Sequence, residues 1–203
     1  MDGTLLNSHA PMVRAYTAWA GRYGLDIDAV LRACQGRRSI DTVRAFAPAG
    51  ADVEGDNAEI MKREREDTDG VFAIPGAVAL LESLPEGRWA VVTSADRGLA
   101  LARLTAAGLP IPKLLITAEN VTRGKPAPDG FLLGARGLDA EPAQAVVFED
   151  SPAGIEAGIA AGMTVVAIAS MLSPEELGTQ AWLPDMSTLS IKTHASGLTL
   201  LVD

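Results

Sequence analysis

The chain has 203 residues, 48% hydrophobic and 21% charged, which is enough for one sizeable core or a core with a small inserted module and argues against disorder. A formal net charge of -9 excludes a nucleic-acid footprint, because phosphate backbones are gripped by Lys and Arg in excess. The single cysteine, Cys34, forms no internal disulfide, which fits a reducing cytosol; with only His9 and His194 as histidines and no thiol-enzyme motif around it, it reads as a small buried hydrophobe.

In chain order, Met1-Asp2-Gly3-Thr4-Leu5-Leu6 opens the sequence with an Asp-Gly-Thr turn. No basic region followed by an apolar stretch marks a cleavable signal. From about Pro11 to Phe72 the spacing of apolar residues suits helices over 13–23, 27–34, 40–46 and 58–68, with no clear strand among them. Residues 11–72 are therefore expected to be a helical insertion between core strands, and residues 1–10 with 73–203 to form the core. The run Lys62-Arg63-Glu64-Arg65-Glu66-Asp67 alternates in sign and reads as a solvated helix face.

From Pro75 onward helices and short apolar strands alternate. Helices are predicted to Leu84, from Asp96 to Ala107, from Pro128 to Arg136 and from Pro152 to Ala161; strands are predicted at 89–92, 114–116, 145–148 and 164–168. Such near-continuous apolar strands indicate a parallel sheet covered on both faces, and ligands of these sheets bind beyond the strands' carboxyl ends. The uncharged stretch between Glu156 and Glu175 approaches the length of a membrane span, but Gly158 and Gly162 break it, so a soluble cytoplasmic protein without a membrane partner is expected. The tail should carry a short helix and a hairpin, 189–192 turning at Ser196-Gly197 into 198–202.

Four predicted strand ends carry polar groups suited to phosphoryl transfer: Asp2, Thr93-Ser94, Lys125 and Glu149-Asp150. Glu149 and Asp150 are hard oxygen ligands of the kind that hold Mg²⁺. Thr93 and Ser94 can donate to phosphoryl oxygens at a helix start, and Lys125 can neutralise the transferring group. Asp2 would protonate the leaving alkoxide and then activate water. Taken singly, these are a turn, a helix cap, a loop and another cap; their order, each at a strand end, favours function. In the insertion, Arg37 and Arg38 are candidates for reaching substrate, Arg38 the stronger of the two, while His9 reads as a surface linker residue and His194 as exposed.

The series Asp2-Gly3-Thr4-Leu5-Leu6, Ile74-Pro75-Gly76-Ala77, Val91-Val92-Thr93-Ser94, Gly124-Lys125-Pro126 and Phe148-Glu149-Asp150-Ser151-Pro152 resembles the haloacid dehalogenase-like superfamily, in the subgroup with a helical cap after the first motif. Within it the chain is most similar to sugar and polyol phosphatases, the narrowing segments being 35–41 and 116–121. The resemblance implies an α/β, Rossmann-like core with an inserted helical cap, and Mg²⁺ held by Asp150 with help from Glu149 and the Asp2 backbone carbonyl. It also implies a phosphate site of Thr93, Ser94 and Lys125, and hydrolysis of a small phosphorylated sugar or polyol through an aspartyl-phosphate.

Two departures stand out. The family pattern has a first core strand and a nucleophilic aspartate before Met1, and neither is in this sequence; Asn7 stands where the family commonly has Asp. Asp2 favours phosphoester cleavage over dehalogenation, which needs no proton for its leaving group. The one lysine of the cap, Lys62, lies in the charged run, which disfavours the Schiff-base chemistry of related phosphonate hydrolases. Alternatives are a phosphomutase of the same subgroup, or a truncated, inactive phosphometabolite-binding protein. A monomer or weak dimer is expected.

Overall fold

Helix starts in this chain are written in capping residues. Asp26 accepts the amides of Asp28 and Ala29, Asp52 that of Gly55 and Asp96 that of Leu99, while Ser151 accepts from Gly154 with Pro152 just inside the helix. The computed structural model describes residues 1–179, 181–194 and 197–202. In order they form β1 (Leu6–Asn7), α1 (His9–Tyr23), α2 (Ile27–Cys34), α3 (Ser39–Phe46), α4 (Val53–Glu66), β2 (Phe72–Ala73), α5 (Ala77–Ser83), β3 (Val91–Val92) and α6 (Arg97–Ala106). These are followed by β4 (Leu115–Ile116), α7 (Asp129–Gly137), β5 (Val146–Glu149), α8 (Pro152–Ala160), β6 (Thr164–Ile168), α9 (Pro174–Leu177), β7 (Trp182–Leu183), β8 (Leu189–His194) and β9 (Gly197–Val202). The fold class is α/β.

The parallel ladder lies in two pieces. Val91 and Val92 of β3 face Leu115 and Ile116 of β4, and β5, β6 and β7 form a second parallel set in which Val147 faces Val165. Helix α7 joins the pieces: Phe131 and Ala135 pack with Val92 behind β3 and with Val147 of β5 in one apolar cluster. The larger cluster, around Leu6, Leu80, Leu99, Leu104 and Ile168, ties the opening loop to α5, α6 and β6.

Helices α1 to α4 pack around a cluster of their own, Tyr16, Trp19, Val30, Cys34, Val43 and Ile60. Two details differ from expectation. Helix α1 begins at His9, because the Asn7 side chain accepts the His9 amide and starts the turn early. The stretch ending at Phe72 does hold a strand: β2 pairs antiparallel with β1, Leu6 against Ala73 and Asn7 against Phe72, so the helical unit enters and leaves through adjacent backbones. A two-residue strand leaves too short an apolar run to show in sequence. The tail hairpin β8–β9 forms with Leu189 opposite Val202; Ser196, in its expected turn, lies outside the described residues. Among the described residues no helix is long and apolar enough to cross a membrane.

Candidate active site

The carboxyl ends of β3 and β5, the opening loop and the loop before α7 deliver their polar groups to one cavity of about 130 Å³ beneath the helical unit. Its core-side wall holds Asp2, Thr93, Ser94, Lys125, Glu149 and Asp150; its other wall holds Met12, Tyr16, Cys34, Gln35 and Arg37 from the helices. This is the crevice that an open parallel sheet offers at its strand ends.

Lys125 and Glu149 form a buried ion pair, and Lys125 also lies over the Phe131 ring, 5.1 Å from its centroid. Glu149 is fully engaged: Oε1 takes Lys125, while Oε2 takes the Ser151 hydroxyl at 3.0 Å and the amide of Asp150 at 3.1 Å. Burial, the largest single influence, would raise the Glu149 carboxyl, but the charges of Lys125 and the N-terminus with the hydrogen bonds from Lys125 and Ser151 together hold the group below its usual range. Glu149 therefore anchors the lysine here, and Asp150 is the carboxylate that faces the cavity with capacity to spare.

Asp150 Oδ1 accepts the Thr4 hydroxyl at 2.7 Å, and its Oδ2 lies so close to Gly3 that a Cβ there would stand 1.9 Å away. Only a residue without a side chain lets the opening loop approach this carboxylate, and Ser170 pins that loop by donating to the Gly3 carbonyl. Burial, and next the charge of Glu149, push Asp150 up to about 7. It is an anion short of positive charge.

Asp2 takes two donors on Oδ1, the Ser8 hydroxyl at 2.7 Å and Arg103 Nη1 at 2.9 Å. Burial, the largest single influence, would raise its carboxyl; the charges of Arg103 and the N-terminus, with the Ser8 hydrogen bond, together lower it. Beyond the carboxyl end of β3, Thr93 Oγ1 accepts the Ala95 amide at 3.1 Å and the Ser94 hydroxyl donates to the Gly36 carbonyl of the helical unit at 2.8 Å.

The two arginines of the unit part ways. Arg37 lines the main cavity. Arg38 forks onto Asp41 at 2.8 and 3.1 Å, donates to the Thr122 carbonyl at 3.1 Å and lines a smaller cavity of about 20 Å³ against the Lys125 loop. His9 also lines the main cavity, at the start of α1, whereas His194 is exposed in the tail hairpin and Lys62 is exposed on α4. Cys34 is buried, its thiol 3.6 Å from the Met12 sulfur.

Sequence reasoning missed Glu64 and Arg103. The charged run of α4 is not wholly solvated: Glu64 is 4% exposed, since it falls on the same helix face as Ile60 and Met61. Arg103, also 4% exposed, sits one turn beyond Leu99 on the apolar face of α6. A lone arginine at a core position of an Ala- and Leu-rich helix was the available signal, since buried charges are paired.

Comparison with known proteins agrees with this geometry. The family description haloacid dehalogenase-like hydrolase matches residues 1–168. Hexitol phosphatase A of Escherichia coli (strain K12) is 42% identical over 172 residues, covering 83% of this chain and 80% of that protein. Glycerol-1-phosphate phosphohydrolase 2 of Saccharomyces cerevisiae is 37% identical, covering 84% and 72%. A crystal structure of a hydrolase from Pseudomonas syringae, 24% identical, superposes with a TM-score of 0.81 over 91% of each chain, which supports the fold alone. The matched span runs from the Asp-Gly-Thr loop through β6, so it contains every group gathered on the core side of the cavity, and the chain belongs to the haloacid dehalogenase-like hydrolases.

Proposed function

We propose that the protein is a Mg²⁺-dependent phosphatase of a small sugar or polyol phosphate. The observation that carries this reading is the convergence of Lys125, Thr93, Ser94, Asp150 and Asp2 on one cavity roofed by helices. The names of the similar proteins point the same way, to hexitol and glycerol phosphates.

The residues present fit Mg²⁺. Asp150, pushed up to about 7 by burial and by Glu149, is an under-neutralised hard donor, which a divalent cation would relieve. Among the described residues no cluster of three or more His, Cys, Asp or Glu could hold a metal, which suits an ion that keeps several waters and takes one or two carboxylates plus phosphate. Asp150 and the Asp2 backbone carbonyl would hold it, and when bound it would offset charge on the phosphoryl oxygens.

Lys125, held in place by Glu149, puts a fixed ammonium against the transferring group, while Thr93 and Ser94 donate to its oxygens; aimed in advance, these donors need not reorganise as charge develops. In the family's reaction the phosphoryl group passes first to the carboxylate of an aspartate two positions before Asp2, ahead of Met1; Asp2 would give a proton to the alkoxide as its phosphorus–oxygen bond breaks, and then take one from the water that cleaves the aspartyl-phosphate and frees the phosphate. The helical unit acts as a cap that excludes bulk water and presents Arg37 and Gln35 to the sugar or polyol.

The test, like the activity assays that follow, is made on a chain extended upstream of Met1 to supply that aspartate: inorganic phosphate release from hexitol, hexose and glycerol phosphates, with Mg²⁺ and with EDTA. Mg²⁺-dependent release from at least one ester is expected. Conversion to a positional isomer without release would establish a mutase instead, and neither reaction on any of them would overturn the reading.

A further inference from the structure

One buried charge cluster has no part in the steps above. Arg103 of α6 reaches Asp2 Oδ1 with Nη1 at 2.9 Å and Glu64 Oε1 with Nη2 at 2.7 Å. Its Nε is buried without a partner. The guanidinium thus joins three separate pieces of the molecule: the Asp-Gly-Thr loop, a core helix and, through Glu64, the last helix of the cap.

Stability alone does not explain this arrangement. Leu99, Ala100 and Leu104 make the same face of α6 apolar, and a leucine at position 103 would continue it. Taking an arginine and a carboxylate out of water costs several kcal/mol per ion, and well-packed apolar replacements of such pairs are often neutral or stabilising. What the arginine does and a leucine could not is orient Asp2. Ser8 and Arg103 both donate to Oδ1, at 2.7 and 2.9 Å, and two convergent donors on one oxygen fix the carboxylate's rotation and leave Oδ2 to carry the proton.

We propose that Arg103 is a positioning residue for Asp2, and that Glu64 makes this positioning depend on the cap being docked. The inference rests on the proton-transfer role proposed above for Asp2. With the cap displaced, Arg103 loses the carboxylate that fixes its second arm, and Asp2 loses its fixed donor. The carboxylate is then set for proton transfer only over an enclosed substrate.

The test compares turnover of a glycerol or hexitol phosphate, whose alkoxide leaves only when protonated, with that of p-nitrophenyl phosphate, whose phenolate leaves unaided. Arg103→Met made together with Glu64→Leu removes the buried pair as a unit and spares the fold an orphaned carboxylate. It is expected to lower kcat/KM, which reports only the step in which the leaving group departs, about 100-fold on the alkyl ester and less than about threefold on the aryl ester, while kcat falls on both through the shared water step. Arg103→Lys, which can reach only one of the two carboxylates, should recover part of the loss. Equal losses of kcat/KM on both esters, or an unchanged kcat/KM on the alkyl ester, would overturn the positioning role.

A second readout needs no turnover. The thermal shifts of Asp2→Asn and Glu64→Gln should be non-additive in the parent and additive in an Arg103→Met background; additivity in the parent would overturn the link to the cap. A parent that melts cooperatively yet releases phosphate from neither ester refutes the phosphatase reading itself, and the thermal cycle then still decides whether Asp2 and Glu64 are joined through Arg103.

Discussion

Two adjacent carboxylates, Glu149 and Asp150, are pushed in opposite directions by their surroundings, and the split assigns their work. Glu149 is lowered although burial is its largest influence, because Lys125, the N-terminal charge and its hydrogen bonds together offset that burial; Asp150 is raised to about 7 because burial is compounded by Glu149. The first is an anchor, and the second is the carboxylate proposed for Mg²⁺. Mg²⁺ should therefore stabilise the parent: at about 100 times its dissociation constant the linkage is about 2.7 kcal/mol, which raises Tm by on the order of 5–10 °C for a chain of this size. Asp150→Ala should abolish that shift, with a metal-free Tm equal to the parent's or higher, because an uncompensated charge has gone. A Mg²⁺-induced shift that persists in the variant, read by calorimetry, would remove Asp150 from the metal site. Cys34 presents the opposite case. Burial, and next the charge of Glu64, push its thiol up to about 12, so at pH 8 it should alkylate on the order of a thousandfold more slowly than a free thiol with its ordinary pKa. Labelling by iodoacetamide before and after urea unfolding measures the difference, and rapid labelling of the folded protein would contradict it.

At the level of elements, the seam between cap and core is made by the loop joining α2 to α3. Gly36, with φ of +69°, lets its carbonyl take the Ser94 hydroxyl while its Cα lies against Ser151; a Cβ there would stand 2.1 Å from Ser151 Oγ. Gly36→Ala therefore cannot be accommodated with the loop seated, and the strain is most easily relieved by lifting the loop away. We expect kcat/KM for polyol phosphates to fall by tenfold or more, since lost closure disturbs kcat and KM together, with Tm lowered only by the ~1–2 kcal/mol cost of the left-handed conformation. Unchanged kcat/KM would mean that this contact does not govern closure. The sequence pattern shows the elements on each side of this seam but not the seam. Helices α2, α6 and α8 and strand β6 were legible because capping residues, Pro152 and β-branched runs are local signals. The contacts of Arg38 with Thr122 and of Glu64 with Arg103 were not, because they are made only by the docking of one unit on another, and Asp2 meets Arg103 only when the core folds; the Arg38–Asp41 pair, three residues apart, was the local part of this network. Likewise Glu149 read as a metal ligand on its own merits, and only the return of Lys125 across the sheet shows both of its oxygens engaged.

For the whole molecule, the decisive feature is that the cap carries its own apolar cluster. Tyr16, Trp19, Val30, Val43 and Ile60 share no member with the cluster around Leu6, Leu80 and Leu104, and the seam between the units is mixed: Met61 of α4 is buried in the core cluster, while Glu64 meets Arg103, Arg65 meets Asp96 and Arg38 meets the Thr122 carbonyl. Exposed pairs such as Arg65 and Asp96 contribute at most ~1 kcal/mol, so a unit held this way can move without unfolding. Damage inside one cluster should stay there. Trp19 is 2% exposed and meets Tyr16 and Tyr23 edge-on at centroid distances of 6.4 and 6.3 Å, so Trp19→Ala empties the centre of the cap. Such truncations cost about 3–5 kcal/mol, a large share of the ~5–15 kcal/mol that holds a typical domain. The loss should appear as fast hydrogen exchange confined to α1–α4, with protection retained in α6, α7 and α8. Turnover of polyol phosphates should collapse, because they need the cap for enclosure and for Arg37, while the core continues to cleave p-nitrophenyl phosphate at a reduced rate. If exchange instead accelerates uniformly and both activities disappear together, the helical unit and the core are one cooperative body, and the closing motion on which the reading of this site depends would have no hinge.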